Sequence, residues 1–507
     1  MHFDEAPSRR DILRAMALGA IALPSAGALL SACSSDGGVT AKSTTTSGPA
    51  SRLSPTTSAF DPDRPWWLQQ GFAPVTKELT TTKLAVTGAI PPALSGLYVR
   101  NGSNPSKADS SHWFFGDGML HGVRLNAGKA EWYRNRYVQT PLYKQGIGFG
   151  GSGAPGGQST QSNVSVLWHA NTLLSSGEVG FPFAINPEDL STVGVHDFGG
   201  RLKSSFTAHP KIDPATGYLH SFGYGFTDPF LTYNVTDASG KLISSEGVKV
   251  AGPTMIHDFA ITDRDVIFWE LPVVFDLQSA IKWLDDPQSG TMPFQWKPAY
   301  GARIGIMPLA GPTSKIVWYE IDPCYVFHGV NAYRDNENVI IDVCRLDSMF
   351  KPGENFAGEL SLRRWTIDTM SSKVSDDIIV EHQPGELPTR DPRVVGRKHR
   401  YGYFVQTRDS DTTVDFGGVI KHDYQTNART TWEPGPSIHS GEWLFVPDGE
   451  SNEQDAGWLL SYVHDAAADT SELAIIDASD VARGPIARVH LPQRVPYGFH
   501  GTWVPSD

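Results

Sequence analysis

The pattern of hydrophobic and polar positions along this chain changes every few residues. From Leu84 onward, short runs in which apolar residues alternate with polar ones or follow one another directly recur, for example at residues 97–99, 164–168 and 339–343. Turn-forming residues separate these runs, as in residues 213–217. Short runs of this kind, bounded by turns, are typical of β-strands. The pattern therefore predicts an all-β domain built as a sandwich, a barrel or a propeller, and strand spacing does not choose among the three.

One stretch departs from this strand pattern. Residues 272–284 carry large apolar side chains at most positions, without the turn residues that bound the other runs. A continuous apolar run of this length is also compatible with a buried helix. We expect a short apolar helix here.

The first 33 residues have the features of an export signal. Arg9 and Arg10 precede an uncharged, mostly apolar segment at residues 15–32, and small residues lead into Cys33. A twin-arginine start followed by an apolar segment is typical of exported bacterial proteins. The end of the segment resembles a lipobox, in which the cysteine receives a diacylglycerol. We expect residues 1–33 to be a twin-arginine lipoprotein signal that leaves the protein lipid-anchored on the extracytoplasmic face of the cell membrane; the alternative is an uncleaved transmembrane anchor.

Composition changes again after the predicted signal. Residues 34–59 are rich in Ser, Thr and Gly and have almost no large apolar side chains, so they cannot bury enough surface to fold. We expect a disordered tether there, followed by one folded domain at residues 60–507.

Charge and cysteine content exclude two classes of protein. The formal net charge is −13, and an acidic chain of this kind repels phosphate backbones, so we expect no nucleic-acid partner. Three cysteines are too few for a disulfide framework. Apart from Cys33, Cys324 and Cys344 lie in apolar stretches, and we expect both to be buried free thiols.

Four of the 16 histidines lie in similar surroundings. His209, His257, His328 and His500 are each embedded among apolar or small residues, close to Gly, Pro or Asp. The chain has no HExxH motif and no Cys/His cluster with zinc-finger spacing. A metal site built from these histidines must therefore be assembled from distant segments, and each one taken alone is more simply explained as a hydrogen-bonded core residue.

Taken together, the four segments around these histidines resemble those of the carotenoid cleavage oxygenases. Residues 94–105 and 112–125 are similar to the N-terminal signatures of the same family, and the resemblance runs from about Leu84 to Trp503. It implies a seven-bladed β-propeller with a helical and loop cap over one face. It also implies one Fe(2+) per chain on the propeller axis, held by His209, His257, His328 and His500.

The resemblance also assigns three glutamates to positions around the metal ligands. These are Glu178, Glu386 and Glu442, and Glu381 is a nearby alternative for Glu386. A carboxylate that accepts the second ring N–H of a metal-bound histidine fixes the tautomer and orientation of the ring. The alternative for each glutamate is a salt bridge at the surface.

The resemblance implies an oxidoreductase that cleaves a carbon–carbon double bond. Its expected partners are an apolar polyene, either a carotenoid or an apocarotenoid, and O2. Stilbene cleavage is an alternative, but the phenol-binding lysine of stilbene-cleaving relatives is displaced here, with Lys144 slightly out of place. Two further hypotheses are a non-catalytic lipoprotein that binds an apolar ligand and a zinc hydrolase. The family's cap also suggests that residues 272–284 form part of a membrane-facing apolar patch at the mouth of the substrate tunnel; the alternative is a helix of the core.

Overall fold

Seven antiparallel sheets make up most of the computed structural model, which describes residues 60–107, 110–147, 156–286, 292–351, 358–381, 385–408 and 414–506. The predicted export signal and tether lie outside these residues. Within the described ranges, the prediction of a seven-bladed β-propeller is confirmed.

Blades 1 to 4 are built mainly from the strands between Thr80 and Ile321. Blade 1 contains β1 (Thr80–Thr81), β3 (Gly96–Arg100), β4 (Met119–Asn126), β5 (Lys129–Tyr137) and β33 (Gly501–Pro505). Blade 2 contains β6 (Ser165–His169), β7 (Thr172–Ser176), β8 (Phe183–Ile185) and β9 (Thr192–Val195). Blade 3 contains β10 (Lys211–Ile212), β11 (Leu219–Tyr224), β12 (Leu231–Thr236) and β13 (Leu242–Val248). Blade 4 contains β14 (Ala260–Ile261), β15 (Asp265–Glu270), β18 (Ala302–Pro308) and β19 (Val317–Ile321).

The remaining three blades complete the ring. Blade 5 contains β20 (Tyr325–Asp335), β21 (Asn338–Leu346), β22 (Leu360–Asp368) and β23 (Lys373–Val380). Blade 6 contains β24 (Gly385–Thr389), β25 (Tyr401–Arg408), β26 (Asp415–Asp423) and β27 (Ala428–Trp432). Blade 7 contains β2 (Val86–Gly88), β28 (Ile438–His439), β29 (Leu444–Pro447), β30 (Gly457–Asp465), β31 (Thr470–Asp477) and β32 (Pro485–His490).

Strands from the two ends of the domain close the ring. The C-terminal strand β33 pairs with β3 in blade 1, and the early strand β2 pairs with β32 in blade 7. Exchange of strands between first and last blades joins the two ends through backbone hydrogen bonds and leaves only short sheet edges. The inner strands β14, β20 and β24 of blades 4, 5 and 6 contact one another in that order.

Burial along the strands reflects packing between blades. Every residue of β12 and of β15 is buried, whereas exposed and partly buried positions alternate along the outer strand β13. A middle strand is covered on both faces because neighbouring blades pack on each side. Strand β15 accordingly carries four consecutive apolar residues, whereas β12 still alternates apolar and polar residues although all of them are buried. Cys324 and Cys344 are buried and free, as predicted.

The helices are short, and the predicted helical cap is a minor addition to the propeller. In the described part of the chain, α1 spans Pro141–Gln145 and α2 spans Leu277–Asp285. Single 3-10 turns lie at Trp66–Leu68, Gln70–Phe72, Trp113–Phe115, Gly156–Gln158, Pro298–Tyr300, Thr313–Lys315, Pro392–Val394 and Val481–Arg483. None of the helices described is long and apolar enough to cross a membrane.

The helix predicted over residues 272–284 is partly wrong. Val273–Phe275 forms strand β16, which pairs with β17 (Phe294–Trp296), and the helix begins only at Leu277. Asp276 caps it by accepting a hydrogen bond from Ser279 N at 2.8 Å. A local pattern does not predict this strand because its partner lies about twenty residues away along the chain.

Candidate metal centre

The four predicted histidines lie on or beside strands of four different blades. His209 lies two residues before β10, His257 lies before β14, His328 lies within β20, and His500 immediately precedes β33. Their ligand atoms all lie within 4.8 Å of one another. The structure therefore brings together residues almost 300 positions apart in sequence.

The distances within this group match a shared metal ion. His209 Nε2 lies 3.0 Å from His257 Nε2, and the ring centroids of neighbouring histidines are 4.3 to 5.2 Å apart. Two nitrogen ligands about 2.1 Å from one metal ion and at right angles to each other are about 3.0 Å apart. The four rings are thus spaced as ligands of a single ion.

Three of the four imidazoles have a carboxylate beside Nδ1. Glu178 Oε2 lies 2.9 Å from His257 Nδ1. Glu386 Oε2 lies 2.7 Å from His328 Nδ1, and Glu442 Oε1 lies 2.9 Å from His500 Nδ1. Each predicted glutamate therefore faces a different histidine, whereas Glu381, the alternative to Glu386, is exposed.

The glutamates are themselves held in place by hydrogen bonds. Tyr224 donates its hydroxyl to Glu178 Oε1 at 2.9 Å, and the backbone N–H of Gly501 donates to Glu442 Oε2 at 2.9 Å. The backbone N–H of Leu387 donates to Glu386 Oε2. Because each glutamate is itself held by a hydrogen bond, the imidazole beside it has little rotational freedom.

Irregular strand pairing directs two of these side chains toward the axis. The register of β20 with β21 shifts between Val326 and Gly329, on either side of His328. The register of β24 with β25 shifts between Glu386 and Thr389, and Leu387 adopts a φ of 49°. Bulges of this kind turn a side chain out of its regular direction and occur often beside functional sites. They leave no clear signal in a single sequence.

Protonation of the rings follows from burial and from the carboxylates. Burial and the neighbouring histidines hold the pKa of His209 and of His328 well below the usual imidazole value, so these rings are neutral. Burial lowers the pKa of His257, but the carboxylates of Glu178, Asp258 and Glu386 together outweigh burial and raise the pKa overall. A carboxylate at Nδ1 favours a hydrogen on that atom and leaves the Nε2 lone pair facing the centre of the cluster.

The donor set fits a divalent transition metal. His328 Nε2 is buried and has no hydrogen-bond partner within the described residues. Lone pairs of several neutral imidazoles that converge on one point repel one another, and a cation at that point removes the repulsion. Burial also raises the pKa of Glu386 to about 8, and a nearby divalent cation would favour its ionised form. Imidazole ligands suit iron, and they suit zinc, copper and nickel as well.

A large apolar cavity lies over the histidine cluster. Its volume is about 570 Å³, and His257, His328 and His500 form part of its wall. The sequence did not identify the aromatic wall, which includes Trp113, Phe115, Phe226, Phe275, Phe294 and Phe327. Phe327 directly precedes His328, so proximity to a ligand motif was the one available signal for a wall residue.

Two other parts of the chain singled out in the sequence, residues 272–284 and Lys144, differ in their position relative to this cavity. Phe275 lines it and packs against Phe226 with ring centroids 4.3 Å apart, while Val273 and Trp283 are buried. The stretch that was expected to face a membrane therefore contributes mainly to the core and the cavity wall. Lys144, considered for a stilbene substrate, is exposed on α1 and is absent from the described lining of the cavity.

The chain is similar to known proteins in both sequence and fold. The sequence model of a family described as retinal pigment epithelial membrane protein matches residues 72–505. A carotenoid cleavage oxygenase of Mycobacterium tuberculosis is 35% identical over 503 residues, covering 89% of this chain and 99% of the relative. A carotenoid 9,10(9',10')-cleavage dioxygenase of Phaseolus vulgaris is 33% identical, covering 87% of this chain and 90% of the relative.

Solved structures show the same architecture. A cobalt-substituted Synechocystis apocarotenoid oxygenase superposes with a TM-score of 0.77 at 28% identity, covering 87% of this chain and 98% of that one. A lignostilbene dioxygenase of Pseudomonas brassicacearum superposes with a TM-score of 0.79 at 27% identity, covering 89% of this chain and 100% of that one.

Proposed function

The chain belongs to the retinal pigment epithelial membrane protein family, which includes the carotenoid cleavage oxygenases, and on this premise we propose that it is a non-haem iron(II) dioxygenase. Its substrate is a carotenoid or an apocarotenoid, cut at one double bond into two carbonyl products. The observation that carries this proposal is the four-histidine cluster with its three carboxylates, which lies at the wall of an apolar cavity.

Iron held by His209, His257, His328 and His500 would supply the binding and activation of dioxygen. The protein itself provides binding, orientation and exclusion of water. Glu386 and Glu442 each accept a hydrogen bond from the Nδ1 of one histidine and so keep Nε2 available as a ligand, and Glu178 lies 2.9 Å from His257 Nδ1, where its charge favours a hydrogen on that atom. Four neutral imidazoles leave the metal its full positive charge.

The cavity fits an elongated apolar substrate. A volume of about 570 Å³ is within the usual range of roughly 300–1,000 Å³ for small-molecule sites. Aromatic rings on both the Trp113–Phe115 turn and the paired strands β16 and β17 line it, and a flat conjugated chain packs well against such rings. Burial of the reacting double bond among these side chains keeps water away from it.

Stilbene cleavage is the second candidate. Structural similarity to the lignostilbene dioxygenase favours it. The exposed position of Lys144 argues against it, because a lysine that binds a phenol must reach the cavity. A panel containing carotenoids, apocarotenoids and hydroxystilbenes, incubated with iron-loaded protein and read by mass spectrometry, decides between the two.

Oxygen labelling tests the reaction itself. Short incubations of the iron-loaded protein with substrate under 18O2 should place one labelled oxygen in each fragment, after correction for exchange of aldehyde oxygen with water. The reaction should need no reduced nicotinamide, because both oxygen atoms of O2 end in the two products. Label in one fragment only, or an absolute need for NADH, would identify a monooxygenase instead.

We also propose that the protein is exported by the twin-arginine route and anchored in the cell membrane through lipid on Cys33. Support comes from Arg9, Arg10 and the small residues before Cys33. The double substitution Arg9→Lys/Arg10→Lys should leave unprocessed precursor in the cytoplasm, and Cys33→Ser should release the protein from the membrane fraction. Cell fractionation with immunoblotting measures both. Normal processing of the double-lysine precursor by the twin-arginine machinery would contradict the export proposal.

A further inference from the structure

A buried aspartate beside one metal ligand bonds to the segments that carry two others. Asp258 follows His257, and its side chain is 2% exposed. Its Oδ1 accepts hydrogen bonds from Lys211 Nζ at 2.6 Å and from its neighbour Phe259 N at 2.8 Å. Its Oδ2 accepts a hydrogen bond from Gly329 N at 2.9 Å.

Two of the donors belong to chain segments that carry other histidines of the cluster. Lys211 lies two residues after His209, and Gly329 lies one residue after His328. One carboxylate therefore links the ligand segments of blades 3, 4 and 5. Each link runs through backbone or through Lys211, and Asp258 is absent from the described lining of the substrate cavity.

The chain at Gly329 has little room for a side chain. Gly329 has no side chain, and a Cβ there would lie 2.9 Å from a ring atom of Trp269 and 3.7 Å from Asp258 Oδ2. Glycine thus permits the close approach of β20 to this part of blade 4. The register of β20 with β21 shifts on both sides of Gly329, where the N–H donates to the aspartate.

Stability alone does not account for a charged pair at this position. Removing a carboxylate and an ammonium from water costs as much as their attraction returns, or more, so a buried ion pair contributes little net stability. What the pair does provide is a fixed distance between chain segments, which a metal site with several ligands requires.

We propose that Asp258 is a positioning residue that sets the spacing of His209, His257 and His328 for metal binding. This inference rests on the iron site of the proposed function and is independent of the substrate. Removal of the carboxylate lets the three ligand segments move relative to one another, which lowers metal affinity and distorts the coordination geometry.

The test uses cobalt(II) as a spectroscopic probe of the metal-free full chain. The double variant Asp258→Ala/Lys211→Met removes the carboxylate and the ammonium of the ion pair together, so the lysine is not left buried without its partner. The measurement then reports the loss of the hydrogen bonds between the ligand segments. The dissociation constant for cobalt, measured by competition with a chelating indicator, should rise about tenfold. This is the lower end of the range of roughly 10–100-fold for the loss of a residue that supports a metal ligand. The ligand-field absorption spectrum should change as well.

A second buried ion pair, which joins blades 4 and 5, provides the matched control. Asp265 bonds to Arg334 of β20 at 2.6 and 2.8 Å, and the side-chain exposures of 9% and 14% are close to the 2% and 14% of Asp258 and Lys211. The variant Asp265→Ala/Arg334→Met should lose thermal stability but keep the cobalt affinity and spectrum of the wild type.

Equal cobalt affinity and identical spectra in wild type and the Asp258→Ala/Lys211→Met variant would overturn the proposal. An equal loss of cobalt affinity in the control variant Asp265→Ala/Arg334→Met would overturn it as well. If the double variant does not fold, Asp258→Asn keeps the side-chain volume and removes one acceptor, and the same two measurements apply. Tight cobalt binding that responds to Asp258, without cleavage of any polyene, would uphold this inference and contradict the proposed function. A wild-type chain that binds no metal would overturn both.

Discussion

Alanine in place of His209, His257, His328 or His500 should nearly abolish both iron binding and polyene cleavage. Each residue supplies one of the four nitrogen atoms that lie within 4.8 Å of one another. Loss of a carboxylate that only supports a ligand costs roughly 10–100-fold in metal affinity or activity, and loss of the ligand itself should exceed that range. Metal content by elemental analysis and initial rates on a polyene substrate measure the two effects. Wild-type protein should hold one iron per chain.

A control for these variants is a buried histidine outside the cluster. His220 is 3% exposed and its Nδ1 lies 2.6 Å from the hydroxyl of Tyr233. His220→Ala should lower thermal stability while leaving iron content near one per chain. Stoichiometric zinc in active wild-type protein, with no requirement for iron, would contradict the iron assignment and favour hydrolytic chemistry.

Some strands of the fold could be predicted from the sequence and others could not. Residues 97–99 and 339–343 fall within β3 and β21, where apolar residues are bounded by turns. Alternation is lost in β15, where neighbouring blades cover both faces, whereas β12 keeps an apolar–polar alternation although every residue is buried. The number of blades came from resemblance alone, since spacing between strands is similar in sandwiches, barrels and propellers. Strand β16 was missed because its partner β17 is separated from it by α2.

The site shows the same division between local and long-range information. The histidines and glutamates lie in short motifs, so resemblance located them one by one. The contact of Glu386 with His328 depends on a bulge in β24, and the cavity wall depends on loops from several blades. Asp258 is adjacent in sequence to a predicted ligand, but its links to Lys211 and Gly329 join blades that no local pattern connects.

Among the three supporting carboxylates, Glu442 offers the clearest test of how the rings are held. Its Oε1 lies 2.9 Å from His500 Nδ1, and its Oε2 accepts a hydrogen bond from Gly501 N at 2.9 Å. Burial raises the pKa of Glu442, but His500, the hydrogen bond from Gly501 N–H and His328 together outweigh burial and leave the pKa below its usual value, so the group is an anion at neutral pH. Both of its oxygens thus accept hydrogen from donors on consecutive residues.

Glu442→Gln should weaken iron binding and lower activity by roughly 10–100-fold without unfolding the protein. The amide has one acceptor oxygen, so its NH2 group must face either His500 Nδ1–H or Gly501 N–H, and the ring loses its fixed orientation. Competition titration for the metal and circular dichroism for the fold measure the outcome. Glu472→Gln is the matched control, because Glu472 pairs with Arg488 and lies 3.7 Å from His490 Nδ1, outside the histidine cluster. Wild-type metal affinity and kinetics in Glu442→Gln would show that this carboxylate does not support the site.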